Sequence, residues 1–175
     1  MELSEATILI ENDYLAPSGA AEWADLGCGF GLFTYALAQL LHAGSVVHAV
    51  DKDTVRLQSL PNPQRIDIRP LQLDFVATPL PWHDLDGILM ANSLHFVSDK
   101  KLLIRQLSHH LKPAGNFLIV EYDTDKPVPQ WVPYPVSFRL LQALFSRAGY
   151  SVVEKLGERP SAYGRASMYA AWVGR

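Results

Sequence analysis

Apolar and polar positions change places in short blocks along almost the whole 175-residue chain. Glu22 to Leu26 (EWADL) is an apolar-centred run that leads into a glycine-rich turn. Leu32 to Leu41 then repeats apolar residues at helical spacing, with Phe33, Leu37, Leu40 and Leu41 on one face and Gly44 as a stop. Ser45 to Val50 (SVVHAV) is β-branched and compact, a buried strand by pattern. Thr54 to Leu60 predicts a short helix ended by Pro61-Asn62-Pro63. Ile66 to Arg69 predicts a brief strand and Gly87 to Ala91 (GILMA) a more apolar one.

The alternation continues in the second half. Asp99 to Leu111 reads as a helix through Leu103, Leu107 and Leu111, ended by Pro113-Ala114-Gly115, and Phe117 to Tyr122 (FLIVEY) as the next strand. A proline-rich segment, Asp123 to Pro135, precedes an amphipathic stretch from Val136 to Ala148. Two last strands, Ser151 to Leu156 and Ser167 to Val173, are joined by a loop containing Pro and Gly. Strands separated by helices imply a parallel sheet covered on both faces. The last two strands have no helix between them, so they pair antiparallel. In such a sheet ligands gather beyond the carboxyl ends of the strands, which directs attention to the residues just after Leu26, Val50, Leu73, Ala91 and Glu121.

Composition narrows the class. Half the residues are apolar (49%), which excludes a disordered chain, and one domain is expected at this length. Fifteen basic against 18 acidic residues give a net charge of −3, and no basic stripe suggests a nucleic-acid partner. The single cysteine, Cys28, suits a reducing compartment; with no signal-like N-terminus and no long apolar run, a cytoplasmic location without membrane association is expected. The six histidines have no paired metal-ligand spacing, so no metal site is expected.

At the first strand end the sequence reads Asp25-Leu26-Gly27-Cys28-Gly29-Phe30-Gly31. Alternate glycines let the backbone turn tightly and approach a ligand, while the following helix points its N–H groups and positive dipole end there. The third glycine comes one residue earlier than in the dinucleotide fingerprint, which disfavours a nicotinamide-dependent oxidoreductase. Asp51 lies 20 positions after Gly31, where a carboxylate reaches ribose hydroxyls, with Lys52 beside it. Asp74 and Phe75 offer a carboxylate and a ring at the third strand end, suited to an adenine.

Taken together these residues resemble the class I S-adenosylmethionine-dependent methyltransferases over nearly the whole chain. The D-L-G-C-G-F-G run (Asp25, Gly27, Cys28, Gly29, Gly31) is similar to the family's first motif, which loops around the methionyl part of the cofactor. Asp51 and Lys52 match its ribose and adenine neighbours, and Asp74 and Phe75 its adenine pair. Ile88 to Val97 (ILMANSLHFV), with Asn92, resembles the fourth motif beside the transferred methyl. Leu111 to Gly115 followed by FLIVEY resembles the turn into the fifth strand. The resemblance implies a Rossmann-like, doubly wound α/β fold: a seven-stranded, mostly parallel sheet with an antiparallel final strand and helices on both faces. It implies S-adenosyl-L-methionine as cofactor and a small or medium-sized molecule as methyl acceptor. Residues 1–20 are expected to cap the pocket and 21–175 to form the cofactor-binding domain.

Several of these positions carry a second reading. Asp51 also suits a helix start, Asp74 a loop, and Cys28 a small turn residue whose thiol a helix N-terminus could activate. His95 is the candidate general base, or a packing residue at the strand end. Tyr14, Ser93, Tyr122, Trp131 and Tyr134 are candidates for the acceptor side, with Trp131 and Tyr134 either a lid or anchors of a stiff connector. The fourth motif lacks the Asn/Asp-Pro-Pro-aromatic run of enzymes that methylate nucleic-acid amino groups, and Ala91-Asn92 lacks the carboxylate of the metal-dependent members. A cofactor-binding subunit that is not itself a catalyst, or is activated by a partner, is the alternative; a homodimer or a partner subunit is the assembly considered.

Overall fold

In the computed structural model residues 1–15, 19–160 and 166–175 are described, so the end of the expected cap (16–18) and part of the last loop (161–165) lie outside the described residues. The order is α1 (Leu3–Ile10), β1 (Glu22–Leu26), α2 (Leu32–Leu40), β2 (Val46–Asp51), β3 (Asp67–Gln72), β4 (Leu85–Ala91), α3 (Lys100–Ser108), β5 (Leu111–Tyr122), α4 (Phe138–Arg147), β6 (Val152–Pro160) and β7 (Ser167–Gly174). The strands form one sheet in the order β3-β2-β1-β4-β5-β7-β6. β3, β2, β1, β4 and β5 run parallel, and β7 is antiparallel to both β5 and β6. The expected seven-stranded, doubly wound sheet is what the chain forms.

Two cores flank the sheet. On one face Leu103, Ile104 and Leu107 of α3 and Leu141 and Phe145 of α4 pack on Ile88, Phe117 and Ile119. On the other, Ala6, Leu9 and Ile10 of α1 and Phe33, Ala36 and Leu37 of α2 pack on Val47, Leu89 and Leu118. Burial of these side chains is the main source of stability, at roughly 1.5–3 kcal/mol for each Leu, Ile, Val or Phe. Caps place the helices on the second half of the sheet. Asp99 accepts from the Leu102 N–H (3.0 Å) and Ser137 from Leu140 (3.4 Å). The Phe138 N–H also donates to Asp123 Oδ1 at 2.9 Å, tying the start of α4 to the end of β5.

Three expectations are corrected. Residues 54–60 are not helical: only Val55, Leu57 and Leu60 are even half-buried, and the Gln58 N–H donates to the carbonyl of Phe30 at 3.0 Å. The segment spends its backbone on the glycine turn, and that tertiary contact outweighs its weak helical pattern. The strand expected at Ile66 to Arg69 runs from Asp67 to Gln72 and passes through Pro70, which the outermost place in the sheet tolerates. Helix α3 stops at Ser108, and Leu111 already pairs with Leu85. Pro113-Ala114-Gly115 lies within β5 where the β4–β5 register shifts. The sequence pattern assigns no element before Glu22; there Leu3–Ile10 is a helix packed in the second core beside α2, and Met1, just before it, lines the cleft described below. Its apolar spacing (Leu3, Ala6, Leu9, Ile10) was open to reading, but Glu is a poor N-cap residue and gave no start signal.

Candidate active site

β1 ends at Leu26 and the chain reverses through Gly27, Cys28 and Gly29 into α2. The N–H groups of Gly27 and Cys28 both donate to the carbonyl of Val50 (2.8 and 2.9 Å), which locks the turn to the end of β2. Gly27 has φ +82°, and a Cβ there would lie 2.5 Å from the Cβ of Ser93, so only glycine fits. Gly31, the N-cap of α2, has φ +89°, and Leu57 crowds the place of its missing Cβ. Around Gly29, by contrast, there is open space. The turn is tight where it touches protein and empty where a ligand would approach.

Two cavities meet at Gly27. One, about 470 Å³, gathers Asp51, Lys52, Asp74, Phe75, Asn92 and Ser93. The other, about 560 Å³, is lined by Asp25, Cys28, Phe30, Phe33, Gln58 and Met1. Together they make a cleft in the size range of cofactor sites. Within it Asp51 accepts from the Gly29 N–H (2.9 Å) through one oxygen and from Asp53 (3.1 Å) through the other. Asp74 Oδ1 accepts from the Val76 N–H at 3.0 Å, which shapes the loop carrying Phe75. The loop reading and the ligand-wall reading of Asp74 therefore coexist.

Four buried side-chain N or O atoms among the described residues have no hydrogen-bond partner, and two of them flank the glycine turn: Asp25 Oδ1 and Asn92 Oδ1. Asp25 is fully buried. Its other oxygen accepts from Thr34 at 2.6 Å, and burial, reinforced by the charge of Asp51, pushes its carboxyl up to about 7. Asn92 holds its place with φ +54°, a left-handed conformation that asparagine tolerates. Burying an oxygen without a donor costs about 1–3 kcal/mol, so both atoms call for donors from a ligand. Burial also pushes the Cys28 thiol up, aided by Asp25 and Asp51, so the helix N-terminus does not activate it.

The acceptor-side candidates are arranged differently. His95 is buried, and its Nδ1 lies 2.6 Å from Glu121 Oε2 while its main-chain N–H donates to Oε1 at 3.1 Å. A carboxylate can only accept, so Nδ1 carries a hydrogen and Nε2 is the position left for other work. Neither His95 nor Tyr122 lines the two cavities; Phe96, next to His95, does. Ser93 lines the cleft, but its hydroxyl donates to the Leu26 carbonyl at 2.6 Å and joins the β4 turn to β1. Tyr134 is tied to the same region through its N–H, which donates to the His95 carbonyl at 3.0 Å, and Lys100 sits over its ring. Trp131 is 70% exposed on the proline-rich segment. Tyr14 stacks on Trp172 (5.1 Å) and donates to Glu154, in a separate depression that shares no residue with the cleft. It is not part of this site.

Sequence reasoning missed Phe30, Gln58, Val76 and Phe96 as cleft residues. Phe30 sits within the glycine motif and Phe96 beside His95, so both were within reach. Gln58 was hidden by the helix expected there.

An open, mostly parallel sheet with a glycine turn, a helix N-terminus and three carboxylates at its carboxyl edge defines a protein built to hold a nucleoside-type cofactor. A family model for the methyltransferase domain matches residues 24–119, more than half of the chain. The chain belongs to that family. It is 26% identical over 153 residues to the O-methyltransferase cnsE of Penicillium expansum, covering 80% of this chain and 55% of that one. It is 31% identical over 115 residues to a ubiquinone biosynthesis O-methyltransferase of Xanthomonas campestris, covering 61% and 46%. The chain thus spans about half the length of these curated relatives. Among solved structures, an N-methyltransferase of Burkholderia thailandensis with bound 1,6-didemethyltoxoflavin and S-adenosylhomocysteine superposes with a TM-score of 0.70 at 18% identity, covering 99% and 77%. A methyltransferase from Aquifex aeolicus gives 0.64 at 15% identity, covering 99% and 98%. These likenesses share the fold.

Proposed function

We propose that this protein binds S-adenosyl-L-methionine in the cleft at Gly27 and transfers its methyl group to a small or medium-sized acceptor. The observation that carries the reading is the pair of buried, partnerless oxygens, Asp25 Oδ1 and Asn92 Oδ1, on either side of the glycine turn. A ligand with an ammonium group, ribose hydroxyls and an exocyclic amine supplies donors to such acceptors. In this assignment Asp25 faces the methionyl ammonium, Asp51 and Lys52 the ribose and adenine, and Asp74 and Phe75 the base. The cofactor supplies a methyl on a sulfonium, an intrinsically good leaving group. The chain's share of the work is then to align the acceptor and exclude water. Phe96, Phe30 and Tyr134 supply exposed aromatic surface near the cleft, and the curated relatives' names favour an oxygen nucleophile.

His95 enters as a positioning residue. Bound to Glu121 behind Phe96, it fixes the turn that carries Asn92 and Phe96. A base working through Nε2 would make His95→Asn lower kcat by about a hundredfold or more with a changed pH profile; positioning predicts mainly a raised KM. Calorimetry with S-adenosylmethionine and S-adenosylhomocysteine tests the core of the proposal. Saturable binding is expected, weakened about tenfold or more in Asp51→Ala; no binding to folded protein overturns it. Binding without methyl transfer to a panel of phenols, amines and activated carbon acids would instead favour the non-catalytic or partner-activated subunit, whether a homodimer or a heteromer.

A cytoplasmic setting belongs to the same proposal, supported by the one cysteine, which is free and buried. Among the described residues no helix is long and apolar enough to cross a membrane.

A further inference from the structure

On the face covered by α3 and α4, away from the cleft, lies a cavity of about 380 Å³ whose lining includes Lys101, Arg105, His109, Arg147 and Arg175. In a chain of net charge −3 with 15 Lys and Arg, four of those 15 line this one depression, and no Asp or Glu does. Among the described residues none of the four makes an ion pair. The floor is apolar, from Ile104 and Leu144.

Helix stability does not account for this arrangement. Lys101 and Arg105 are four residues apart, so two like charges face one another along α3, which disfavours the helix. Arg105 and Arg147, in the last turns of α3 and α4, do suit the helix dipoles, but Lys101 lies in the first turn of α3, where the dipole favours acids such as the capping Asp99 and disfavours a cation. Arg175 is held in place from outside either helix: its guanidinium stacks over the Tyr150 ring at 5.2 Å and it donates to the Pro113 carbonyl at 3.4 Å. A preset guanidinium loses less freedom on meeting an oxyanion.

We propose that the α3–α4 cavity binds a small organic anion carrying at least two phosphate or carboxylate groups, at a site separate from the methyl-transfer cleft. Guanidinium forks pair bidentately with either oxyanion. The recessed shape, small volume and apolar floor fit a small molecule with a carbon framework better than a flat lipid surface or an extended chain.

Calorimetry at low ionic strength with tripolyphosphate and, in parallel, citrate tests this and separates phosphate from carboxylate preference. At least one probe should bind saturably at one per chain. Affinity should fall about tenfold or more in the double variant Arg105→Glu/Arg147→Glu, and stay unchanged in Arg69→Glu on the β3 edge. The neutral pair Arg105→Gln/Arg147→Gln, with melting curves as a fold check, gives the same reading should the reversal unfold the protein. The proposal is overturned if neither probe saturates or if Arg69→Glu weakens binding equally. Phosphatidylglycerol vesicles or poly-glutamate outcompeting both small probes through these arginines would overturn it too.

Discussion

Two groups of polar side chains along the carboxyl edge are used in opposite ways. In the contacts that join β4 and β5 to their neighbours, polar groups are spent: Glu121 takes both hydrogens that His95 offers, and Ser93 gives its hydroxyl hydrogen to Leu26. Around the glycine turn, Asp25 and Asn92 each keep a buried oxygen unspent. A spent group holds the fold together, and an unspent one costs stability until a ligand arrives. Polar residues that look alike in the sequence therefore have different jobs, and substitution separates them.

Glu121→Ala should have the largest effect, on stability. It strands a buried imidazole and a main-chain N–H, at about 3–5 kcal/mol, read by urea unfolding. A loss below about 1 kcal/mol would mean the pair is not spent as described. Gly27→Ala comes next, at about 2–4 kcal/mol, because a left-handed residue and a collision with Ser93 add together. Its neighbour sharpens the comparison. Gly29→Ala meets open space and should cost only about 1 kcal/mol, yet it should weaken cofactor binding sharply because the ligand approaches there.

Asp25 offers the pH test. Its folded value of about 7 lies above the ordinary 3.8. The ligand-free protein therefore carries no ionisation penalty below about pH 4, and loses stability as pH rises towards 7. Binding runs the other way: an ionised Asp25 attracts the cofactor's ammonium, so affinity should rise between pH 5.5 and 7, by up to about tenfold per unit. Asp25→Asn should flatten that profile, weaken binding at pH 7.5 and stabilise the ligand-free protein there. A parallel pH profile in the variant would remove the assignment. Tyr14→Phe should do least. It removes one solvent-screened hydrogen bond, to Glu154, and should leave stability, cofactor affinity and turnover nearly untouched.

The alternation of strands and helices and the cofactor motifs were legible because they rest on local signals. β-branched runs, alternating glycines and carboxylates at strand ends announce themselves within a few residues. What escaped depends on distant partners. Residues 54–60 have a helical pattern, but the carbonyl of Phe30 claims their backbone. Tyr14 looked like an acceptor contact until Trp172 gave it a stacking partner. His95 was legible as a residue at a strand end, while the carboxylate that orients it lies on the next strand, at a spacing no motif encodes.

The narrow gap between Gly27 and Ser93 also has a meaning for descent. Any side chain at 27 requires position 93 to shrink towards glycine, and a glycine there forfeits the hydroxyl that ties β4 to β1. Each single step passes through a damaged intermediate, so the two positions should tolerate change only together. The glycine of the turn is required by its neighbour after β4 before any ligand is considered.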